Sequence, residues 1–184
     1  LRPHRDRHPS GCGDGHGNVC GFGLMHGETL VGYTASDEAY ALIVDIGTTT
    51  VAALLVDTAR RRVVAARGEH NAQSPYGADV ISRIQYTLEQ PDGLQELSQR
   101  IREQIWALVS DALARSGRTP GTLREITLAG NTVMQHLFAG YSVRGIAAAP
   151  FRPETLFAAP GDETLHGVPV HFAPCVAGYV GGDI

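Results

Sequence analysis

Ala41-Leu42-Ile43-Val44-Asp45-Ile46-Gly47-Thr48-Thr49-Thr50-Val51-Ala52-Ala53-Leu54-Leu55-Val56 is the stretch on which the fold turns. Residues 41–44 form a short continuous apolar run, the pattern of a buried strand, and the run ends at Asp45. Residues 51–56 repeat the pattern and close on Asp57. A third run, residues 62–67, follows the turn at Arg60-Arg61-Arg62. Strands this closely spaced can be joined only by tight turns, so the sequence predicts an antiparallel β-meander.

Helices are expected next. Val80, Ile81, Ile84 and Leu88 share one face of a helix starting near Pro75, a residue tolerated in a first turn. Leu94, Leu97, Ile101, Ile105, Leu108 and Ala112 then recur at steps of three and four. Asp92 with Gln95 resembles a capping box at the start of that helix, and Gly117 supplies its stop. Glu96–Arg100 and Asp111–Arg115 fit i,i+4 pairs on its outer side, and Trp106 lies beside the apolar stripe. Residues 125–129 read as a fourth strand running through Gly130-Asn131-Thr132 into a helix with Met134, Leu137 and Phe138. Residues 140–165 look like an excursion, and residues 168–172 like a last strand. A meander followed by alternating strands and helices predicts an α/β fold, a mixed sheet with helices packed on it.

The bulk chemistry narrows the function. All fifteen Lys and Arg positions are arginine, so no Walker-type phosphate loop, Schiff base or lysine general base can be built. A formal charge of −4, with no basic cluster beyond Arg60-Arg61-Arg62, argues against a nucleic-acid footprint. No apolar run approaches the ~18 residues of a membrane helix. Three cysteines, Cys12, Cys20 and Cys175, without a disulfide-framework spacing point to a reducing cytoplasm. Apolar residues at 43% and charged ones at 18% fit a globular domain. Residues 1–38 differ: they hold His4, His8, His16 and His26, four of the eight histidines, in glycine-rich surroundings, and read as a loop or the remnant of an upstream domain. Residues 39–184 form the predicted domain. A start at Leu1 without methionine and a stop at Gly181-Gly182-Asp183-Ile184 both read as the ends of a fragment.

Asp45-Ile46-Gly47-Thr48-Thr49-Thr50 is the candidate site. An aspartate leaving a buried strand can hold a divalent cation, the adjacent glycine lets backbone approach an anion, and successive threonines offer hydroxyl and N–H donors to phosphate oxygens. The same residues also suit an ordinary hairpin in which threonine serves β-propensity.

This hairpin resembles the first phosphate loop of the ASKHA superfamily, the fold of actin and the acetate and sugar kinases. Within it the chain is most similar to the ASKHA domain of the reductive activators of corrinoid proteins. Four further blocks carry the resemblance: Asn71-Ala72-Gln73 leading into Gly77-Ala78-Asp79-Val80-Ile81-Ser82-Arg83; Gly130-Asn131-Thr132-Val133-Met134 with His136-Leu137; Ala149-Pro150-Phe151; and Gly178-Tyr179-Val180-Gly181-Gly182-Asp183-Ile184. The resemblance implies an RNase-H-like mixed sheet, one lobe of a two-lobe fold that binds ATP between its lobes. It implies an ATP- and Mg2+-dependent activator that returns a Co(II) corrinoid, in the corrinoid protein of a methyltransferase system, to Co(I). Asp45, Gly47, Thr48, Thr49 and Thr50 would then meet the phosphates and the magnesium shell, with Asp45 the metal ligand. Gly130, Asn131 and Thr132 would face the same cleft, and Asp183 would position water or metal. Asp79 and Arg83, one helical turn apart, fit either the cleft wall or a surface ion pair.

The chain also departs from that pattern. The second lobe and the iron–sulfur ferredoxin domain of such activators are not in this sequence, and turnover by the 184-residue piece alone is not expected. Cys12 and Cys20, with Asp14 and His16 between them, fit neither a zinc knuckle nor a [2Fe–2S] loop. Two other readings stand beside the first. One is an iron–sulfur ATPase activator of a 2-hydroxyacyl-CoA dehydratase-like enzyme, whose cluster loop resembles Cys175-Val176-Ala177-Gly178, although that group has a lysine where this chain has Val51. The other is a non-catalytic RNase-H-like binding lobe.

Overall fold

The computed structural model describes residues 22–26, 29–34 and 39–182. The chain divides into two compact units, Leu1–Asp37 and Glu38–Ile184. In the first, β1 (Phe22–His26) and β2 (Thr29–Thr34) pair antiparallel, with a register irregularity between Leu24 and Met25. Cys12, Cys20 and His16 lie outside the described residues, and so does Asp183.

The second unit is built on a six-stranded sheet. Its strands are β3 (Tyr40–Ile46), β4 (Thr50–Asp57), β5 (Arg62–His70), β6 (Leu123–Gly130), β7 (Thr164–Leu165) and β8 (Val168–Phe172). They lie in the order β5-β4-β3-β6-β8-β7. The predicted meander is present: β3–β4 and β4–β5 are antiparallel, with Arg61 taking a left-handed conformation (φ 52°) in the arginine turn. Beyond it the sheet is parallel across β3–β6 and β6–β8, and short β7 closes the edge antiparallel to β8. A meander joined along its first strand to parallel α/β units is the RNase-H-like arrangement.

Three helices cover one face: α1 (Val80–Glu89), α2 (Gly93–Arg115) and α3 (Thr132–Ala139). Alternate strand residues Leu42, Val44, Ile46, Val51, Ala53, Leu55, Ile126 and Leu128 form a core with Leu97, Ile101, Ile105, Leu108 and Leu113 of α2. By the period-2 alternation, Ile43, Asp45, Leu54 and Thr127 belong to the opposite face, where Ile43 and Leu54 are exposed.

The long helix follows its heptad-like pattern, and Gly117 (φ 68°) ends it. The Asp111–Arg115 pair forms at 2.8 Å, while Glu96 turns away from Arg100 to accept from the Tyr86 hydroxyl at 2.6 Å. The shorter helix departs from expectation in two ways. Pro75 opens a single 3-10 turn, Ser74–Tyr76, and the helix proper starts at Val80. The capping box is Asp79 with Ser82, not Asp92 with Gln95, since Asp92 makes no side-chain cap bond. The apolar face is also narrower than predicted, because Ile84 is buried but Ile81 is 68% exposed. The excursion after α3 lacks long regular elements, yet it sends Phe157 into the core against Phe172, with ring centroids 4.4 Å apart.

Burial sets the sizes of two substitutions. Leu97→Ala should lower the unfolding free energy by about 2–5 kcal/mol, whereas Ile81→Ala should change it by no more than about 0.5 kcal/mol. Urea denaturation of the two variants measures both, and equal losses would contradict the packing described.

Candidate functional site

The site forms where β3 and β6 end side by side. They run parallel, with Asp45 opposite Ala129 and Ile46 opposite Gly130, so the β3–β4 hairpin and the β6–α3 turn emerge at the same sheet edge. Carboxyl ends of parallel strands are where α/β sheets place ligands, because the connecting loops open there.

The backbone of residues 47–49 is tied from one side. The Gly47 carbonyl accepts from the Asn71 side-chain amide at 2.8 Å. The Thr48 carbonyl accepts from an Arg83 Nη at 2.6 Å, and the Thr49 carbonyl from the Asn71 N–H at 2.8 Å. Three successive carbonyl oxygens thus point into the protein. In a planar trans peptide the N–H points opposite to the carbonyl. The N–H groups of Thr48, Thr49 and Thr50 are therefore directed away from Asn71 and Arg83. A run of outward N–H groups is a feature that favours an anion. Thr49, Thr50 and Asp45 are exposed, and Thr48 is half-buried. Gly47 is required sterically: a Cβ there would stand 2.5 Å from the Thr50 carbonyl oxygen.

The second wall is the β6–α3 turn. Asn131 caps α3 by accepting from the Met134 N–H at 3.0 Å, and its amide reaches the Thr48 hydroxyl at 3.3 Å. One side chain so links the hairpin to the helix N-terminus, where unsatisfied N–H groups and the helix dipole favour an anion. Thr132 sits differently from its neighbours. It is fully buried and its hydroxyl donates to the Ala177 carbonyl at 2.5 Å, so its side chain anchors the C-terminal segment and only its backbone belongs to the turn. That segment crosses the turn closely: the Gly182 N–H donates to the Gly130 carbonyl at 3.1 Å. A Cβ on Gly181 would fall 2.1 Å from the same oxygen.

The remaining motif residues lie behind this surface. Arg83 neither lines the cleft nor pairs on the surface; it is fully buried. Its guanidinium donates to the carbonyls of Thr48 and Gly77 (2.9 Å), to the Gln73 side-chain oxygen (3.3 Å) and to the Ser74 hydroxyl (3.4 Å), and it meets the Met134 sulfur at 3.2 Å. Burial pushes its pKa down to about 10, with the Asp79 charge opposing the shift, so it stays cationic at neutral pH. Asp79 itself is exposed and held below the ordinary carboxylate range by the Ser82 N–H it caps. Gln73 also donates to the Leu97 carbonyl at 2.9 Å, tying the network to α2. His136 is buried between the Thr132 carbonyl (2.7 Å from Nδ1) and the Thr155 N–H (3.4 Å from Nε2). An N–H facing Nε2 assigns the proton to Nδ1, and burial lowers the ring's pKa, so His136 is a neutral strut. Cys175 is buried in the core, its N–H bonded to the Leu156 carbonyl, which does not suit a thiolate sharing a cluster across an interface. Among the described residues no three His, Cys, Asp or Glu side chains gather as a metal centre, and no helix is long and apolar enough to cross a membrane.

Removing the Asn71 side chain leaves the half-buried Gly47 carbonyl and the buried Gln73 N–H without their partners. Asn71→Ala should cost about 1–3 kcal/mol of stability and speed hydrogen exchange across residues 47–50; unchanged exchange there would mean the hairpin is held by something else. Asp79→Asn tests the cap. A depressed folded pKa stabilises above the unfolded value and is lost as pH falls through the folded one. The stability difference between Asp79→Asn and the parent chain should therefore be full above the ordinary aspartate value of 3.8 and fade as pH falls from there through the lower folded value.

Comparison with known proteins agrees with this architecture. A curated relative, the corrinoid activation enzyme RamQ of Eubacterium limosum, is 27% identical over 170 residues, covering 87% of this chain and 29% of that protein. A solved structure titled as a reductive activator for a corrinoid, iron–sulfur protein superposes with a TM-score of 0.77 at 37% identity, over 82% of this chain and 25% of the other. The chain thus spans between a quarter and a third of the length of the relatives it matches. The model of the RACo middle region matches residues 40–184, the whole six-stranded unit, and the chain belongs to that family.

Proposed function

We propose that this chain contributes the first phosphate-binding lobe of an ATP-dependent reductive activator of a corrinoid protein. The observation that carries the reading is the inward turn of the Gly47, Thr48 and Thr49 carbonyls, which presents the opposite, N–H side of the hairpin beside the N-terminus of α3. A polyphosphate suits that surface. It accepts hydrogen bonds only, it gains from the helix dipole, and it can lie against glycine backbone.

Within this reading each exposed residue has a task. The Thr49 and Thr50 hydroxyls donate to phosphate oxygens, and Asn131 orients the Thr48 hydroxyl toward the same space. Asp45 leaves β3 exposed at the sheet edge, where its carboxylate suits the hydrated shell of Mg2+, a hard cation that keeps several waters. Gly130 lets the two strand ends approach, since a Cβ there would lie 2.9 Å from the Ile46 carbonyl oxygen. The resemblance gives Asp183 the task of positioning water or metal. The role of bound MgATP is to couple phosphate-bond cleavage to one-electron reduction of the Co(II) corrinoid to Co(I). The electron comes from a low-potential donor through an iron–sulfur domain supplied outside this chain, and a second lobe closes over the nucleotide.

The test uses the full-length activator with its reductant and corrinoid partner. Addition of MgATP should convert the Co(II) optical spectrum to that of Co(I), and omission of ATP should abolish the change. Asp45→Asn should lower the ATP-dependent rate by about 10²-fold and raise the Mg2+ concentration required. A parent protein that neither binds MgATP nor responds to it would sink the proposal.

A further inference from the structure

Beside the metal, a phosphate loop gains from positive charge built into the protein near the bound anion, and this chain has no lysine with which to supply it. The exposed residues of the hairpin and turn, Asp45, Thr49 and Thr50, bring none; Asp45 brings the opposite sign. One cation does lie against the loop. Arg83 is fully buried, and its guanidinium is 2.6 Å from the Thr48 carbonyl oxygen, on the inner side of the hairpin. The five groups that accept from it, two carbonyls, an amide oxygen, a hydroxyl and a thioether, are all uncharged. Among the described residues no carboxylate forms an ion pair with it; Asp79, the acid that acts on it through space, is exposed to solvent.

This arrangement is costly as mere scaffolding. A buried charge with only neutral acceptors loses its hydration and gains no counter-ion. A buried arginine that served structure alone would be expected beside an aspartate or glutamate; even the half-buried Arg102 has Glu163 at 2.6 Å. What the arrangement keeps is field. With the guanidinium unneutralised inside low-dielectric protein, its potential emerges through the thin wall of the hairpin toward the N–H side.

We propose that Arg83 is the fixed positive charge of the phosphate loop, a positioning residue that attracts the nucleotide's polyphosphate through the hairpin without touching it. The inference rests on the reading of residues 45–50 as a phosphate loop and adds where that loop's charge comes from. Its five donors do two jobs with one group: they turn the Thr48 carbonyl inward, and they hold the cation on the loop's inner side. Because the charge is immobile, it is in place before the ligand arrives and costs no reorganisation on binding.

Ser74 provides the test, because its hydroxyl stands 3.4 Å from the guanidinium at a partly buried position. Ser74→Asp places a carboxylate beside Arg83 and neutralises it with every loop contact retained; Ser74→Asn is the uncharged control of equal size. MgATP affinity is measured by titration calorimetry on the full-length activator, with urea unfolding of each variant alongside. Ser74→Asp should weaken MgATP about tenfold or more, with the loss shrinking at high salt, while Ser74→Asn stays close to the parent. Equal affinities for the two variants overturn the role of Arg83 and leave the phosphate loop standing. A parent protein that does not bind MgATP overturns the loop reading and this inference with it. If Ser74→Asp does not fold, Arg83→Lys decides: it keeps the charge but cannot span five acceptors, so it should lose stability yet hold MgATP within a few-fold of the parent. Affinity lost in step with stability would show that the arginine acts only as a strut.

Discussion

The bond from the Arg83 guanidinium to the Thr48 carbonyl is the contact on which the site depends. Arginine suits it because its donors form a rigid planar fork, so one side chain can bind several acceptors at fixed angles. Here the fork joins the hairpin, the 3-10 turn through Gln73 and Ser74, the start of α1 through Gly77, and α3 through Met134. The hairpin, the stretch from Gln73 to Gly77 and α3 lie far apart in sequence, and this one buried side chain touches all three. Asn71 and Asn131 join them in pairs, and Arg83 joins them all at one buried point. Burial of the cation is unfavourable, and the hydrogen bonds offset it only if all form together, which makes the arrangement cooperative.

Sheet topology supplies the other half. The hairpin and the β6–α3 turn meet because β3 pairs antiparallel with β4 on one side and parallel with β6 on the other. A parallel neighbour brings two carboxyl-terminal strand ends together, and an antiparallel one returns the chain at once as a tight loop. Within the meander only β3 has both neighbours, and at its end the hairpin meets the N-terminus of a helix. The glycines fall where those ends crowd. Gly47 clears the hairpin's own backbone, Gly130 clears Ile46, and Gly181 clears the crossing of the last segment over Gly130 and Asn131.

How much of this was legible in the sequence follows from the range of each interaction. The meander, the long helix and the strand–turn–helix at Gly130 were readable because period-2 and period-3.6 patterns are local, and the hairpin stood out because Asp, Gly and Thr are unusual between two apolar runs. The start of α1 was misplaced since Pro75 signals a helical first turn but not whether the turn continues. Ile81 joined the predicted apolar face by spacing alone, and spacing does not say which flank of a helix a neighbour covers. Phe157 was invisible as core, because it sits in a proline- and alanine-rich stretch without periodicity and is buried by Phe172 from a strand fifteen residues on. Arg83 was the largest miss. A charged residue four positions after an aspartate fits a helix-surface pair, and only the structure shows Asp79 turned to its cap and Arg83 turned inward.

That miss changes the meaning of the absent lysine. A lysine in a phosphate loop acts from the ligand's side, on a flexible stem that reaches an oxygen directly. This hairpin turns three carbonyls inward and fastens them to groups on the protein side, one of which is a cation. One of the three bonds that orient the N–H groups outward therefore also places positive charge behind them. Asn71 and Arg83 share the orientation, Arg83 alone brings charge, and the outer side is left to glycine backbone, threonine hydroxyls and an aspartate. A side chain reaching across from Val51 has no part in that design, since Val51 is fully buried in the core beneath the strand.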